Sequence, residues 1–232
     1  PFKDFAIEKR IIVRGADIPA HLKNAIIAAE DNQFLSHWGI NLRGAFRAGM
    51  GVLLGKKGIR WGGGSSITQQ LARSLFLTPE FTVSRKLQEM LLAIQIEKKY
   101  TKEQILAFYC NKIFLGGSIY GVGAGARYYF GKTVQELTLA EAALLAGIVP
   151  NPNGIYSVFK RPDNARKRRD FVLRKMLLLR SIGTDEYKRA LQAPLPERAA
   201  DAGAESLGDY FTEEARKYLG PSTATTFSTR AD

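Results

Sequence analysis

The sequence predicts a mainly α-helical protein, and three observations carry that prediction. Apolar residues recur at helical spacing in several segments of the chain. Two of these segments open with a capping box, in which Thr and a Gln or Glu three residues later satisfy the first free amides of a helix. Strand-like patterns occur only near the two ends. With 232 residues, 45% of them hydrophobic, the chain can bury a substantial core, which excludes a mainly disordered protein.

The elements of the first third follow from local signals. Residues 5–14 mix apolar and charged side chains and are predicted to be extended. Asp17 and Pro19 are typical of a helix start, and the helix that follows is predicted to end at Glu30 and Asp31. A flexible glycine–serine run then precedes a helix that begins near Ile67.

The middle of the chain predicts a long helix over residues 84–99, with an apolar face that should be buried. This predicted buried face consists of Leu87, Met90, Leu91 and Ile94. The two capping boxes, Thr101 with Gln104 and Thr138 with Glu141, start the next helices. The second of these helices should stop before Pro150.

The last third begins with a basic stretch at residues 160–175, which is predicted to continue as a helix to Arg180. From Ala193 the composition changes to that of a linker, and residues 209–219 predict one short helix within it. We therefore predict two regions: a main domain over residues 1–192, and a linker with the start of a further region over residues 193–232.

The charge of the chain predicts an anionic partner. Lys and Arg total 34 against 22 Asp and Glu, a net charge of +12. This excess suits nucleic acid, a phosphorylated ligand or an acidic membrane surface. A single cysteine excludes an intrachain disulfide, and with only two histidines it argues against a His/Cys zinc site. No apolar stretch approaches the roughly 18 residues of a membrane span.

The first segment with chemical potential runs from Glu30 to Gly39. Two acids stand at the end of an otherwise apolar helix, where the negative end of the helix dipole tends to raise a carboxyl pKa. A carboxylate with a raised pKa beside a groove suits a general base. On these residues alone, a solvated helix end and a structural His37 explain the pattern as well.

A second segment, from Gly63 to Gln70, places small residues and neutral donors at a helix start. Exposed backbone amides there suit phosphate, and a flexible loop with an ordinary cap is the competing interpretation. In a third segment, Arg85 and Glu89 stand at i, i+4, a spacing that predicts a surface ion pair. Alternatively, Glu89 faces Glu30 across a cleft, and Arg85 and Lys86 hold an anionic leaving group. Two further segments, around residues 102–111 and 168–173, are explained as well by core packing and by a solvated basic face.

Taken together and in this order, the five segments resemble the peptidoglycan glycosyltransferase domain (glycosyltransferase family 51) of class A penicillin-binding proteins. The family patterns E-D-x-x-F-x-x-H-x-G, G-G-S-[ST]-I-T-Q-Q, R-K-x-x-E, K-x-x-I-L-x-x-Y-x-N and R-R-x-x-V-L begin here at Glu30, Gly63, Arg85, Lys102 and Arg168. The likeness spans roughly residues 15–180. Ser66 stands where the family commonly has Thr, and Ala107 and Cys110 replace a frequent Glu and Leu.

The resemblance implies a lysozyme-like helical fold with a smaller, membrane-facing lobe. It implies an enzyme that polymerises lipid II into β-1,4-linked glycan strands with loss of undecaprenyl pyrophosphate, by an inverting mechanism. Glu30 would be the general base on the acceptor 4-hydroxyl. Glu89 would support the donor, either by orienting Lys86 and Arg85 or by holding a divalent cation, Mg²⁺ or Mn²⁺, near the pyrophosphate. No organic cofactor is expected.

The family motifs also imply the residues that bind substrate, and with them moenomycin-type inhibitors. Carried over position by position, these residues are Asp31, Phe34, His37, Gly64, Ser65, Thr68, Gln69, Gln70, Arg85, Lys86, Lys102, Asn111 and Arg168.

Residues 40–61 are apolar, glycine-rich and cationic, without a single acid. We expect them to dip into the bilayer interface, with a buried helix and a mobile loop as the alternative. The side chains expected to contact the membrane are Phe46, Met50, Val52, Leu53 and Leu54. The resemblance places such a protein at the extracytoplasmic face of a bacterial membrane, anchored by a helix that this sequence does not include. The ending at residues 225–232 loosely resembles the strand that leads into a transpeptidase domain, which would be covalently linked.

Three alternatives compete with this function. A lytic muramidase would share the helical fold but cleave glycan. A basic nucleic-acid-binding module is permitted by the net charge, although the cations flank carboxylates and the aromatic residues form no stacking platform. An inactive scaffold is disfavoured because Glu30 and Glu89 are both present.

Overall fold

The computed structural model describes residues 9–41, 64–76 and 82–200. Within these ranges the chain is mostly helical, so the predicted fold class is confirmed. The eight α-helices of the described ranges are α1 Ala20–Glu30, α2 Ile67–Phe76, α3 Val83–Lys99, α4 Lys102–Lys112, α5 Val122–Phe130, α6 Leu139–Ile148, α7 Pro162–Leu178 and α8 Thr184–Gln192. None of them has the length and apolar character needed to cross a membrane.

Several predictions fall outside the described residues. The five side chains expected to contact the membrane, Phe46, Met50, Val52, Leu53 and Leu54, are among them. So are the predicted short helix over residues 209–219 and the ending at residues 225–232. The division into residues 1–192 and 193–232 stays a prediction, and residues 193–200 follow α8 without helix or strand.

A small sheet pairs a strand near the start of the chain with two strands in its middle, where no strand was predicted. Its strands are β1 Lys9–Arg10, β2 Phe114–Gly116 and β3 Ile119–Tyr120, in the order β1-β3-β2. β3 runs parallel to β1 and antiparallel to β2. The prediction that strands occur only near the chain ends is wrong, because two- and three-residue strands carry too few side chains to show a period. Of the described residues 9–14 of the segment predicted as extended, Lys9 and Arg10 pair in the sheet.

The core is organised around α6. Residues Ala142–Ile148 of this helix are buried on every side, and the helix packs against α1 and α7. Its capping box forms as predicted: the Thr138 hydroxyl accepts from the Glu141 amide, and Glu141 accepts from the Thr138 amide. The box of Thr101 and Gln104 opens α4 in the same way. α6 therefore fixes the end of α1, where Glu30 lies, against the body of the domain.

The predicted buried face of α3 is wrong. Leu87 and Leu91 are 57% and 62% exposed, and Met90 and Ile94 are only partly buried. The face that packs inward carries Arg85, Glu89, Ala93 and Ile96 instead. Charged groups can occupy this face because Glu89 forms ion pairs with Lys86 and Arg85, so that the buried charge is compensated.

The C-terminal helices are tied together by a buried arginine. Arg169 on α7 is 1% exposed, and its guanidinium donates to the backbone oxygens of Leu191 and Ala193 at the end of α8. Asp170 accepts a further hydrogen bond from its Nε, at 2.8 Å. α7 itself ends at Leu178, so Arg180, which was predicted to continue the helix, lies beyond it with a positive φ of 56°.

Candidate active site

A cavity of about 670 Å³ opens where the ends of α1, α4 and α6 meet α2. Its walls carry one carboxylate, two cations and several neutral hydrogen-bonding groups. Among the polar residues that line it are Glu30, Ser65, Gln70, Arg73, Tyr109 and Lys112. The cavity therefore combines a candidate base with positive charge, the combination that the sequence predicted.

Glu30, the last residue of α1, has a carboxylate with two different environments. Its Oε2 accepts a hydrogen bond from Gln70 Nε2 at 3.0 Å, whereas Oε1 is buried and has no hydrogen-bond partner. Burial raises the pKa of Glu30 above its ordinary value of 4.5. The Gln70 hydrogen bond and the positive charges of Arg168, Lys175 and Arg73 offset part of that rise. A carboxylate in this state can take up a proton at Oε1.

Gln70 connects Glu30 to α4. Its Oε1 accepts from the Tyr109 hydroxyl at 3.0 Å, and its Nε2 also lies 3.5 Å from the Ser65 backbone oxygen. The Tyr109 side chain is almost fully buried. Burial, and then the charge of Glu30, raise the pKa of Tyr109 well above its ordinary value, so the hydroxyl keeps its proton.

The second predicted glutamate lies behind the cavity wall. Glu89 is fully buried on α3, forms a short ion pair with Lys86 Nζ, and has Oε2 3.8 Å from Arg85 Nη1. Lys86 Nζ also donates to Ser65 Oγ at 2.8 Å, and Ser65 lines the cavity. Among the described residues, Glu89 is connected to the cavity through Lys86 and Ser65, which favours the orienting role over direct contact with substrate.

The surroundings of Glu89 do not fit a metal centre built by the protein. Within the described ranges, no group of three or more His, Cys, Asp or Glu side chains could hold a metal ion. The nearest charged neighbours of Glu89 are the cations Lys86 and Arg85, which repel a metal. The requirement for a divalent cation stays a prediction.

The first motif forms a buried turn beside Glu30. Asp31 is 3% exposed, and its carboxylate accepts from His37 Nε2 at 2.7 Å and from the backbone amide of Ile67 at 3.1 Å. It thereby caps the N-terminus of α2 from a distant part of the sequence. Gly39 closes the turn with a φ of +102°, and a Cβ there would lie 2.9 Å from the backbone oxygen of Ala93 on α3. The geometry gives Asp31 and His37 a structural role, and direct contact with substrate stays a prediction.

The second motif is divided between the cavity and the interior. Ser65 and Gln70 line the cavity, and Gly64 is partly buried next to Ser65. Thr68 and Gln69 point inward: Thr68 Oγ1 donates to Glu97 at 2.6 Å, and Gln69 Oε1 accepts from the Ser66 amide at 2.9 Å. With Ser66 Oγ accepting from the Gln69 amide at 3.1 Å, these two residues form a capping box. The spacing S-x-x-Q was visible in the sequence, where Gln69 was assigned to substrate.

Three other predicted residues hold the framework rather than line the cavity. Lys102 Nζ donates to Glu97 at 2.7 Å and to the His37 backbone oxygen, and lies 4.5 Å from the ring centre of the fully buried Phe34. Asn111 pairs through its side-chain amide with both backbone groups of Val13, each at 2.8 Å, and so fixes the N-terminal segment. The substrate contacts predicted for these side chains stay untested predictions.

Arg168 lies on α7 behind Glu30. Its Nε donates to the Gly147 backbone oxygen at 3.1 Å, and its guanidinium packs 4.8 Å from the ring centre of Phe171 and 5.4 Å from that of Tyr156. Its positive charge lowers the pKa of Glu30. Arg168 therefore favours the ionised form of Glu30 by a charge interaction from a fixed position, and this offsets part of the rise in the pKa.

Sequence reasoning did not single out two cations of the cavity. Arg73 follows Gln70 by three residues on α2, and Lys112 follows Tyr109 by three on α4, so each lies on the cavity face of its helix. Helical spacing from the two motif residues was the signal that could have found them. Tyr156, after α6, also lines the cavity.

Comparisons with known proteins point to one group. The model of the transglycosylase family matches residues 2–177. Penicillin-binding protein 1A of Pseudomonas aeruginosa is 38% identical over 223 residues, covering 90% of this chain and 27% of that protein. Penicillin-binding protein 1A of Aquifex aeolicus is 42% identical over 213 residues, covering 92% of this chain and 29% of that protein.

A solved structure agrees with these relatives. The crystal structure of penicillin-binding protein 1A from Haemophilus influenzae matches this chain with a TM-score of 0.51 and 25% sequence identity. The match covers 94% of this chain and 22% of that one. The chain spans about a quarter of the length of the relatives that it matches.

Proposed function

Because this chain belongs to the transglycosylase family, the glycosyltransferases of peptidoglycan synthesis, we propose that it polymerises lipid II into β-1,4-linked glycan and releases undecaprenyl pyrophosphate. The observation that carries this proposal is the state of Glu30. Its Oε1 is buried and unpaired in a cavity that also holds Arg73 and Lys112. A base beside cations suits a reaction in which a sugar hydroxyl attacks and a pyrophosphate leaves.

In the proposed reaction, Glu30 Oε1 takes the proton of the acceptor 4-hydroxyl. The acceptor oxygen forms a bond to C1 of the donor sugar, on the side opposite the α-linked pyrophosphate. The bond from C1 to the pyrophosphate oxygen breaks, and its electron pair leaves with undecaprenyl pyrophosphate. Attack from the opposite side inverts the configuration, which gives the β-linkage. The pyrophosphate is already a stable anion, so no acid is needed to protonate it.

Positive charge at the cavity supports departure of that anion. Arg73 and Lys112 line the cavity, and Lys86 is held at its edge by Ser65 Oγ and Glu89. In the proposal, Glu89 is a positioning residue that keeps Lys86 at the cavity edge. Fixed cations stabilise developing charge better than mobile ones, because they need no reorganisation during the reaction.

The proposal extends to the setting of the enzyme. A lipid-linked substrate requires a membrane surface, so we place the enzyme at the extracytoplasmic face of a bacterial membrane. The relatives are named penicillin-binding proteins, and this chain covers about a quarter of their length. That size relation supports a covalently linked transpeptidase domain in the parent protein. Moenomycin-type inhibitors are proposed to occupy the same cavity.

The test is polymerisation of labelled lipid II in detergent, followed as a ladder of glycan products on a gel. We expect Glu30→Gln to fold and to lose activity by about 100-fold or more, the size of effect that general bases contribute. The control is Glu136→Gln, which changes an exposed carboxylate that does not line the cavity and should leave the ladder intact. Moenomycin should abolish the ladder of the parent chain.

Three results would contradict the proposal. Near-parental activity of Glu30→Gln would remove the assigned base. Shortening of preformed glycan by the parent chain, without polymer synthesis, would establish a lytic muramidase. Salt-dependent DNA binding without sugar transfer or lipid II binding would favour a nucleic-acid module.

A further inference from the structure

The Gln70 side chain connects two residues that the family motifs list separately. Its amide nitrogen donates to Glu30 Oε2, and its amide oxygen accepts from the Tyr109 hydroxyl, each at 3.0 Å. The three side chains come from α1, α2 and α4. They form one chain of hydrogen bonds that ends on the carboxylate proposed as the base.

The orientation of the Gln70 amide in this series of hydrogen bonds depends on Tyr109. The two ends of an amide have nearly the same shape, so the partners of Gln70 decide which end faces Glu30. An ionised carboxylate needs a donor, and this requires the amide oxygen of Gln70 to face α4. Tyr109 is 3% exposed and keeps its proton, so it supplies the donor that the amide oxygen needs there.

We propose that Tyr109 is a positioning residue of the reaction, whose hydroxyl holds the Gln70 amide in the orientation that donates to ionised Glu30. The inference rests on the proposed function, in which Glu30 is the base. Gln70 occupies Oε2, and Oε1 is left to receive the proton of the acceptor. Tyr109 thus selects both the ionised form of Glu30 and the oxygen atom that reacts.

Lys112 on α4 lines the same cavity as Glu30, and three further cations act on the carboxylate from two other helices. Arg73 lies on α2, and Arg168 and Lys175 lie on α7. All three favour the ionised carboxylate, and a change at Tyr109 leaves them in place. The effect of removing the hydroxyl should therefore be partial rather than complete.

The test compares Tyr109→Phe with the parent chain, using kcat against pH for lipid II polymerisation. Without the hydroxyl, the Gln70 amide is free to turn, the ionised carboxylate loses part of its stabilisation, and the pKa of Glu30 rises further. We expect the acidic limb of the kcat profile to move upward by about 0.5 to 1 pH unit, which corresponds to a roughly three- to tenfold lower kcat on that limb. Activity should recover at higher pH, with KM within about twofold of the parent.

Tyr129→Phe is the matched control. Tyr129 is also buried, and its hydroxyl donates to the Leu115 backbone oxygen at 2.6 Å without touching Gln70 or lining the cavity. This variant loses the same group and a buried hydrogen bond, so it should change stability but not the pH profile. A profile that moves equally in both variants would overturn the proposal, and so would a Tyr109→Phe variant whose kcat falls by the same factor at every pH.

A second variant keeps the test valid if Tyr109→Phe does not fold. 3-Fluorotyrosine at position 109 keeps the shape of the ring and makes the hydroxyl a stronger donor. The acidic limb should then move downward, opposite to the change in Tyr109→Phe, and an unchanged or upward-shifted limb would overturn the proposal.

A direct titration separates this inference from the proposed function. The carboxyl carbon of Glu30, labelled with ¹³C and assigned by its loss in Glu30→Gln, reports the ionisation of Glu30 without any activity. A higher midpoint in Tyr109→Phe shows that Tyr109 holds Gln70 toward ionised Glu30, and an active Glu30→Gln then contradicts only the proposed base. An unchanged midpoint overturns the positioning role even if Glu30→Gln is inactive.

Discussion

The buried, partly unpaired carboxylate of Glu30 suits the proposed base but destabilises the folded protein when it is ionised. The end of α1 places its carboxylate in the cavity wall, where one oxygen is buried without a hydrogen-bond partner. Such a group costs stability when it is charged, and Gln70 and three nearby cations compensate only in part. Because the proposed chemistry needs an ionised base, this cost should be visible in the pH dependence of folding.

We expect Glu30→Gln to be more stable than the parent chain at neutral pH. The folded state raises the pKa of Glu30, so it binds this proton more tightly than the unfolded chain does. Stability from this group is therefore complete below the ordinary pKa of 4.5 and is lost as the pH rises through the folded pKa. Calorimetric Tm values from pH 4 to pH 8 should show an advantage of Glu30→Gln that grows with pH.

Glu136→Gln provides a control of opposite sign. Hydrogen bonds from the Thr133 backbone and hydroxyl lower the pKa of Glu136, so the ionised form stabilises the folded state above the ordinary pKa. This variant should be less stable than the parent at neutral pH, and the difference should disappear in acid. A Tm difference for Glu30→Gln that stays constant with pH would show that packing, not ionisation, causes it.

The sequence indicated which residues belong to the site region more often than it indicated what each side chain does there. The end of α1 correctly indicated a glutamate with a raised pKa, although burial, not the helix dipole, is the largest cause. Asp31 and Thr68 stand in motifs that indicate chemistry, but their side chains hold α2 and α3 in place. A sequence motif does not distinguish a residue that contacts substrate from one that holds a neighbouring helix in place. The distinction depends on the direction in which each side chain points.

At the scale of elements, α2 depends on a cap that is 36 residues away in the chain. Asp31 accepts from the Ile67 amide and also binds His37, so it joins the turn after α1 to the start of α2. Gln70 lies in the first turn of this helix. The position of Gln70 relative to Glu30 is therefore set by the cap as well as by the helix.

We expect Asp31→Ala to lower the free energy of unfolding by about 2–3 kcal/mol, because it removes a cap and leaves buried donors unpaired. Thr82→Ala is the matched control: Thr82 caps α3 alone through the Arg85 amide, so its loss should cost about 1 kcal/mol. Urea unfolding measures both values. Under conditions where both variants are folded, only Asp31→Ala should lower polymerisation, and equal losses of activity would contradict the coupling of cap and site.

α3 shows why the periodicity of apolar residues is not enough to predict which face of a helix is buried. Two stripes follow helical spacing: the apolar one predicted to be buried, with Leu87, Met90, Leu91 and Ile94, and a mixed one through Arg85 and Glu89. Apolar content alone selects the first stripe, yet the structure buries the second. The ion pairs of Glu89 with Lys86 and Arg85 lie within α3, at local spacings that also suit an exposed face. The contact that joins this face to another part of the chain, Lys86 with Ser65, leaves no local signal.

At the scale of the whole molecule, the helical class and the two capping boxes followed from the sequence, because both depend on local rules. The three-stranded sheet did not, since its strands are two or three residues long and its pairing joins Lys9 to Ile119. The cavity arises from helix ends that lie far apart in the chain. Only the family motifs, read as one set, indicated that they would meet.

The net charge of +12 and the apolar, cationic stretch over residues 40–61 predict binding to anionic membranes. We expect the parent chain to sediment with vesicles that contain anionic lipid, and binding to weaken as salt is raised. The double variant Leu53→Asp and Leu54→Asp should bind several-fold more weakly, because it places charge in the predicted apolar contact.

Leu178→Asp is the control for this experiment, since Leu178 is an exposed leucine at the end of α7, outside the predicted contact. It should bind vesicles like the parent chain. Equal losses in the two variants would show that total charge, rather than residues 40–61, determines membrane binding.

The buried guanidinium of Arg169 has a mechanical consequence. The chain leaves α8 at Gln192, and the next residue, Ala193, is held by Arg169 on α7. Tension on the residues that follow is therefore transmitted through Arg169 into α7, which packs on the central helix α6. Unwinding of α8 from its C-terminal end must first break hydrogen bonds to a side chain of another helix, because Arg169 binds the backbone oxygens of Leu191 and Ala193. A pull along the chain would have to break both of these hydrogen bonds before the last turn could open.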